Sequence, residues 1–266
     1  MSPCRLSLLW AALEPLIPEF VPSSKGGRRR SVDDRAALNG ILFVLHTGIP
    51  WEDLPQALGF GSGLTCWRRL RDWQEADVWD RLHLAMLRRL CEHDQIDWER
   101  ARLDGASVPS PPRGGQETGP NPTDRGKLGS KQHLVVDAKG APFGHYGANR
   151  HHSIVFEPTL EAIAAVPGLN GRPCKRPSKL HADKAYECCR CRRYLKKRGI
   201  AARVACKGIE SKPRLGRHRW VVERTHAQFA AFGKLRIRFE RRYDTHCVLL
   251  SLAAAIICSR FVEDLC

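Results

Sequence analysis

Three carboxylates stand out by position rather than abundance. Asp104 closes a predicted strand within Arg102 to Val108, and Gly105 after it lets the backbone turn. Asp183 closes a second predicted strand in His181-Ala182-Asp183-Lys184, and Glu223 falls in the first turns of a late predicted helix among Arg217, Arg219 and Arg224. Carboxylates from two strand ends and a helix can converge at one sheet edge, where their repulsion calls for cations. Hard oxygen donors suit Mg²⁺ or Mn²⁺. A pair of such ions activates an attacking oxygen and stabilises a leaving one in phosphoryl displacement. Spacing alone does not assemble the triad, because a strand-end carboxylate is more commonly a cap or an ion-pair member.

Other constellations are weaker. Cys188-Cys189-Arg190-Cys191 contains a Cys-x-x-Cys, yet no second ligand pair follows at structural-zinc spacing, so cysteines on a basic amphipathic helix is the preferred reading. The Gly-rich run ending Gly126-Lys127 is not a phosphate loop, since Asn121 stands at the first glycine position and Leu128 replaces the metal-binding Ser/Thr. Arg125, Lys127 and Lys131 read better as phosphate contacts. Asp124 and Asp137 compete for a catalytic role from a loop and a hairpin turn, and both read as structural. Trp220 reads as packing under its helix.

The elements that must hold these residues fall into two parts. Residues 1–95 read as helices: Cys4 to Leu16, a basic loop at Gly26 to Arg30, and a helix opened by a capping-box-like Ser31 and Asp34. A basic helix from Leu64 to Gln74 follows, bearing Arg68, Arg69 and Arg71 beside Trp67 and Trp73, and a last amphipathic helix runs from Ala76 to Cys91. Helix, turn, basic helix outlines a helix-turn-helix, whose second helix lies in a major groove; a small bundle with a solvated arginine face fits the pattern as well. From residue 96 the chain reads strand, hairpin (Gln132 to Asp137 with Pro142 to Gly147), helix from Pro158, strand Lys179 to Ala182, basic helix Glu187 to Arg198, and strand Ile200 to Cys206. A helix from about Arg217 and an apolar helix within His246 to Val262 complete an α/β plan around one mixed sheet.

The 266 residues carry 44 Lys and Arg against 28 Asp and Glu, a formal charge of +16. Residues 1–95 hold 12 of each sign, so the whole surplus lies in 96–266, at 32 against 16. That places a polyanion-binding surface in the second part and excludes a basic tail as its source. With 42% apolar and 27% charged residues, a disordered chain is excluded too. Eleven cysteines without a secretory signal predict a soluble cytoplasmic protein with reduced thiols, and the apolar run Cys247 to Cys258 is about half a membrane span.

At its longest motifs the chain resembles a DDE transposase of a bacterial insertion sequence, in the IS-five group. The resemblance rests on Asp34-Arg35-Ala36-Ala37-Leu38-Asn39-Gly40-Ile41-Leu42, Gly48-Ile49-Pro50-Trp51-Glu52-Asp53-Leu54-Pro55 and Trp67-Arg68-Arg69-Leu70-Arg71-Asp72-Trp73. It continues through Leu103-Asp104-Gly105, the stretch Gly119 to Lys131, Gly147 to His151, Leu180 to Tyr186 and Arg219-Trp220-Val221-Val222-Glu223-Arg224-Thr225. The resemblance implies an RNase H-like mixed sheet with flanking helices (96–266), preceded by a small all-helical, helix-turn-helix-type DNA-binding domain (1–95). It assigns Asp104, Asp183 and Glu223 as catalytic and metal-binding carboxylates for two Mg²⁺ ions, with Mn²⁺ as a substitute. The implied activity is cleavage and strand transfer of double-stranded DNA at terminal inverted repeats and target DNA, with self-association on DNA, in the bacterial cytoplasm and nucleoid and without a membrane partner. Arg68, Arg69, Arg71, Arg125, Lys127, Lys131, Arg219 and Arg224 are the expected DNA contacts. Gly216, Ala230 and His152 depart from the family pattern, where tyrosine, lysine and aspartate are usual. The rivals are a non-catalytic DNA-binding derivative of a transposase and a nuclease without strand transfer.

Overall fold

The computed structural model describes residues 2–20, 32–112, 114–121, 125–168, 172–205 and 212–263, with only the backbone described for 212–219. The first part is helical. Helix α1 (Pro3–Leu13) is capped by Ser2, whose hydroxyl accepts from the Arg5 amide. Helix α2 (Asp34–Thr47) is capped by Asp33, whose carboxylate accepts from the Arg35 and Ala36 amides, and it ends on left-handed Gly48. The expected cap Ser31 and the loop Gly26 to Arg30 lie outside the described residues, and Asp33 does the capping. Helices α3 (Gly63–Glu75) and α4 (Val78–Glu92) follow as expected. They meet through Trp73 and Trp79, both fully buried with ring centroids 5.5 Å apart.

The second part holds a mixed sheet of β1 (Arg100–Pro109), β2 (Gly119–Pro120), β3 (Leu128–Val136), β4 (Pro142–Gly147), β5 (Lys179–Ala182) and β6 (Ala201–Val204). β3 pairs antiparallel with β1 on one edge, and with β4 and the short β2 on the other; β1–β5 and β5–β6 are parallel. Helices α5 (His152–Glu161), α6 (Cys189–Lys197), α7 (Lys212–Ala230), α8 (Gly233–Arg236) and α9 (Tyr243–Glu263) flank it. This is the RNase H-like plan.

Three expectations change. Helix α5 begins at His152 rather than Pro158, with His151 as its cap and the proline inside it. Helix α7 is already helical at Lys212. Asp104 does not end a strand, because β1 continues to Pro109, so Gly105 serves pairing with His133 and not a turn.

One hydrophobic cluster runs from Leu9 to Val262 through both parts. Its axis is α9, which contacts α1, α3, α4 and β4. This helix is long and apolar enough to cross a membrane by length and composition, but 83% of its apolar window is buried against the rest of the protein, so its apolarity is used inside.

Candidate active site

The first two carboxylates are brought together by strand register. Along the parallel pair β1–β5, Arg102 faces His181 and Leu103 faces Ala182, so the next step sets Asp104 beside Asp183. Neighbouring strands lie about 4.8 Å apart, and paired positions share a face. Asp183 leaves the strand with extended backbone and caps a single turn, Lys184–Tyr186, its carboxylate accepting from the Ala185 amide at 2.8 Å. Asp104, 7% exposed, accepts from the Gly105 amide at 2.8 Å. The pair therefore sits where β5 stops and β1 runs on, a notch in the sheet edge.

The third carboxylate comes from α7, which packs against β1 and β3. His226, one turn beyond Glu223 on that helix, is half-buried beside the Asp104 main chain, with its ring nitrogens shielded from solvent. Burial drives its pKa down to about 4 against the pull of that backbone. Glu223 itself is exposed. Among the described residues no three His, Cys, Asp or Glu side chains converge closely enough to hold one ion. The structure thus joins Asp104 with Asp183 and brings the Glu223 helix to the same strand.

Behind the notch lies a cluster that sequence reasoning missed. Tyr186 is fully buried, and its hydroxyl lies 3.2 Å from Nδ1 of His133 and 3.2 Å from Nδ1 of His152. The hydroxyl has one hydrogen to give, so at least one of the two imidazoles donates to that oxygen. Burial, then the charges of Asp104 and Asp183, raise the tyrosine pKa. Burial lowers His133 to about 2 and His152 to about 4, so both rings are neutral. A Cβ on Gly105 would lie 2.7 Å from both imidazoles, and the glycine is there to make room for them. The legible signal was the glycine beside Asp104 together with Lys131 and His133 alternating along β3.

Two family models match this chain: one described as "Putative transposase of IS4/5 family" over residues 8–83, and "Transposase DDE domain" over residues 180–259, which holds Asp183 and Glu223. A Burkholderia cepacia protein named "Putative transposase for insertion sequence element IS402" is 46% identical over 147 residues, 54% of this chain and 70% of the relative. The chain belongs to the insertion-sequence transposases of the IS4/5 type. A second B. cepacia relative, "Insertion element IS402 uncharacterized 16.2 kDa protein", is 56% identical over 101 residues, 38% of this chain and 69% of its own. The transposase carries a DDE domain, an enzyme of DNA cleavage and transposition, and such domains work with divalent metal ions. Adjacent hard carboxylates at Asp104 and Asp183 fit such an ion.

The expected DNA contacts of the transposase divide by burial. Arg68 is exposed on α3, and Arg71 lies 5.6 Å over the Trp67 ring while pairing with Asp72 at 2.8 Å. Arg69 is corrected: it is 5% exposed, with its guanidinium on the Asp34 carboxylate and 3.2 Å from the Val32 carbonyl, so it ties α3 to α2 instead of facing a groove. Lys131 is corrected as well, because strand alternation turns it inward beside His133 and His152, where it is 1% exposed and burial lowers its pKa. Arg125 and Lys127 are exposed, and Arg224 is exposed with a hydrogen bond to the Lys139 carbonyl. The Arg219 side chain, and Asp124, lie outside the described residues. Trp220 does not pack under its helix: it is 53% exposed, with Arg224 5.0 Å over its ring. Asp137 is structural, accepting from the amides of Asp97, Lys139, Gly140 and Ala141 at 2.7–3.1 Å.

Proposed function

We propose that Asp104, Asp183 and Glu223 are the metal-bearing carboxylates of this transposase, and that it cuts and rejoins DNA at the terminal inverted repeats of its own element. The observation that carries this reading is the β1–β5 register, which sets Asp183 beside Asp104. The two aspartates would hold Mg²⁺, with Mn²⁺ as substitute, and Glu223 on α7 would close the site for a second ion. Bound there, the ions supply activation of the attacking oxygen and charge stabilisation for the leaving one. Tyr186 and the neutral imidazoles of His133 and His152 brace the strand beneath the carboxylates. The surplus positive charge of residues 96–266 supplies phosphate attraction, which should weaken steeply with salt. Recognition of the repeats falls to residues 1–95 as the DNA-binding part, through the exposed face of α3 with Arg68 and Arg71. Two element ends must meet, so the working form is a dimer or larger on DNA. Cytoplasm and nucleoid are its place of action.

The test uses the purified chain, Mg²⁺ and a DNA carrying its own element ends. Nicked and then joined ends are expected, with Asp104→Asn and Asp183→Asn each losing about 10³-fold or more in cleavage rate at unchanged DNA affinity. Unchanged cleavage in Asp183→Asn sinks the assignment. A second reading, a DNA-binding derivative without catalysis, draws on the absence of a closed three-carboxylate cluster among the described residues. It requires wild-type DNA affinity with no metal-dependent nicking.

A further inference from the structure

We propose that Cys188 and Cys191 form a peroxide-sensitive dithiol that closes to an intrachain disulfide, on the segment that leads out of Asp183. The geometry is specific. Cys188 is the cap residue of α6, and its sulfur accepts from the Cys191 amide at 3.4 Å. The Cys188 and Cys191 sulfurs lie 3.0 Å apart in hydrogen-bonding contact. Two sulfurs at that separation need close by only about 1 Å to reach bonding distance. Cys188 is half-buried and Cys191 fully buried, so one sulfur is reachable by a small oxidant and the other only through it.

The local chemistry divides the roles. Burial opposes ionisation of Cys188, but the thiol and amide of Cys191, with Arg190 close by, outweigh it and bring its pKa below the ordinary thiol value. Burial, and then the hydrogen bond with Cys188, push Cys191 up to about 12, so it stays a thiol. A thiolate at a helix N-terminus beside a cation is the nucleophilic member of such a pair. With hydrogen peroxide as oxidant, the Cys188 sulfur attacks one peroxide oxygen, the O–O bond breaks, and the departing hydroxide takes up a proton as water. Cys188 is then a sulfenic acid. The Cys191 sulfur attacks the Cys188 sulfur; the S–S bond forms, the S–O bond breaks, and the oxygen leaves as a second water with the Cys191 proton. Two thiols and one peroxide become one disulfide and two waters.

Nothing in this step depends on metal binding at Asp183, but the two places are mechanically joined. The Tyr186 amide donates to the Asp183 carbonyl at 3.2 Å, Glu187 to Lys184 at 3.1 Å and Cys188 to Tyr186 at 3.0 Å, a continuous hydrogen-bonded turn.

The full chain is treated with hydrogen peroxide, its remaining thiols are alkylated, and it is digested with trypsin. Cleavage after Lys184, Arg190 and Arg192 puts the two sulfurs on separate peptides, Ala185–Arg190 and Cys191–Arg192. Those peptides should stay joined until dithiothreitol is added. The join should persist in Cys189→Ser and vanish in Cys188→Ser; Cys189 is exposed, and a serine at 188 can still cap α6, so the comparison does not hinge on folding. In Cys191→Ser, Cys188 should stop at the sulfenic acid and be captured by dimedone. A link that survives Cys188→Ser, a disulfide confined within Ala185–Arg190, or a Cys188 that remains fully alkylatable after peroxide overturns the proposal.

Discussion

Asp104 and the His133–His152 pair are separated by a single residue without a side chain. Gly105 sits inside β1 in ordinary strand pairing, so its role is space, not backbone freedom. A methyl group there would meet two rings that are themselves fixed by the buried Tyr186 hydroxyl. Overpacking of this kind costs about 1–3 kcal/mol. Gly105→Ala is therefore expected to lower the free energy of urea unfolding by that amount and to slow DNA cleavage through displaced Asp104, whereas wild-type stability would show that the rings yield freely. Asp104 and Asp183 were legible because each lies in a motif at a strand. The tyrosine and histidines were not, because they meet only when β3, α5 and the turn after β5 come together in space. Lys131 was misplaced for a related reason: a basic run reads as surface until the strand alternation beneath it is known.

Helix α3 shows how an element divides its own residues. Arg68 and Arg69 are neighbours in sequence and face opposite environments, one in solvent and one on Asp34. Arg68→Ala is expected to leave thermal stability unchanged while reducing the salt dependence of DNA binding by about one phosphate. Arg69→Ala leaves Asp34 without its buried partner and should cost about 3 kcal/mol in urea unfolding; equal stabilities for the two variants would refute the division. The motif Gly48 to Pro55 finds its meaning at a similar seam. Gly48 and Gly233 approach so closely that a Cβ on Gly233 would lie 2.5 Å from the Thr47 carbonyl oxygen. Beside them, buried Lys234 reaches Glu240 at 3.5 Å and the Ile49 carbonyl at 3.2 Å, and Trp51 donates to Glu240 at 3.1 Å. Lys234→Ala should destabilise by about 3 kcal/mol, read by the same urea assay, because it leaves the Glu240 carboxylate, 13% exposed, without its cation. The sequence pattern showed that a loop existed there, but not that α8 would dock on it, since docking is set by shape and not by periodicity. Pro158 was similarly ambiguous: proline favours the first turn of a helix, yet α5 is already anchored upstream by His151 and tolerates the ring.

At the scale of the whole molecule, α9 makes the helical part and the sheet share one interior, and neutral histidines line that interior. His145 and His246 lie where β4 meets α9. His145 is pushed to about 4 by burial and by His83, with Asp80 opposing. His246 is pushed to about 3 by burial, Arg238 and His145. His133, at about 2, is depressed by burial and by His152, Lys131 and His226. An unfolded histidine titrates near 6.5. Below that pH the unfolded chain takes up protons that the folded chain refuses, so stability falls as pH drops and the loss is complete only below the folded pKa values. Each group contributes up to about 1.4 kcal/mol per pH unit within the window. The paired carboxylates Glu117, Glu161, Asp244 and Glu263, whose pKa values are lowered, lose their contributions below their ordinary range, under about pH 4.5, and so do not blur the histidine window. Urea unfolding should then be one cooperative transition whose free energy is lower at pH 5.5 than at pH 7.5, by up to about 1.4 kcal/mol for each of these histidines. Replacing His145 and His246 together by glutamine should remove their two shares of that slope and leave those of His133, His152 and His226. A free energy flat between those pH values would show that these rings accept protons in place, and two separate transitions would show that α9 does not bind the halves into one folding unit.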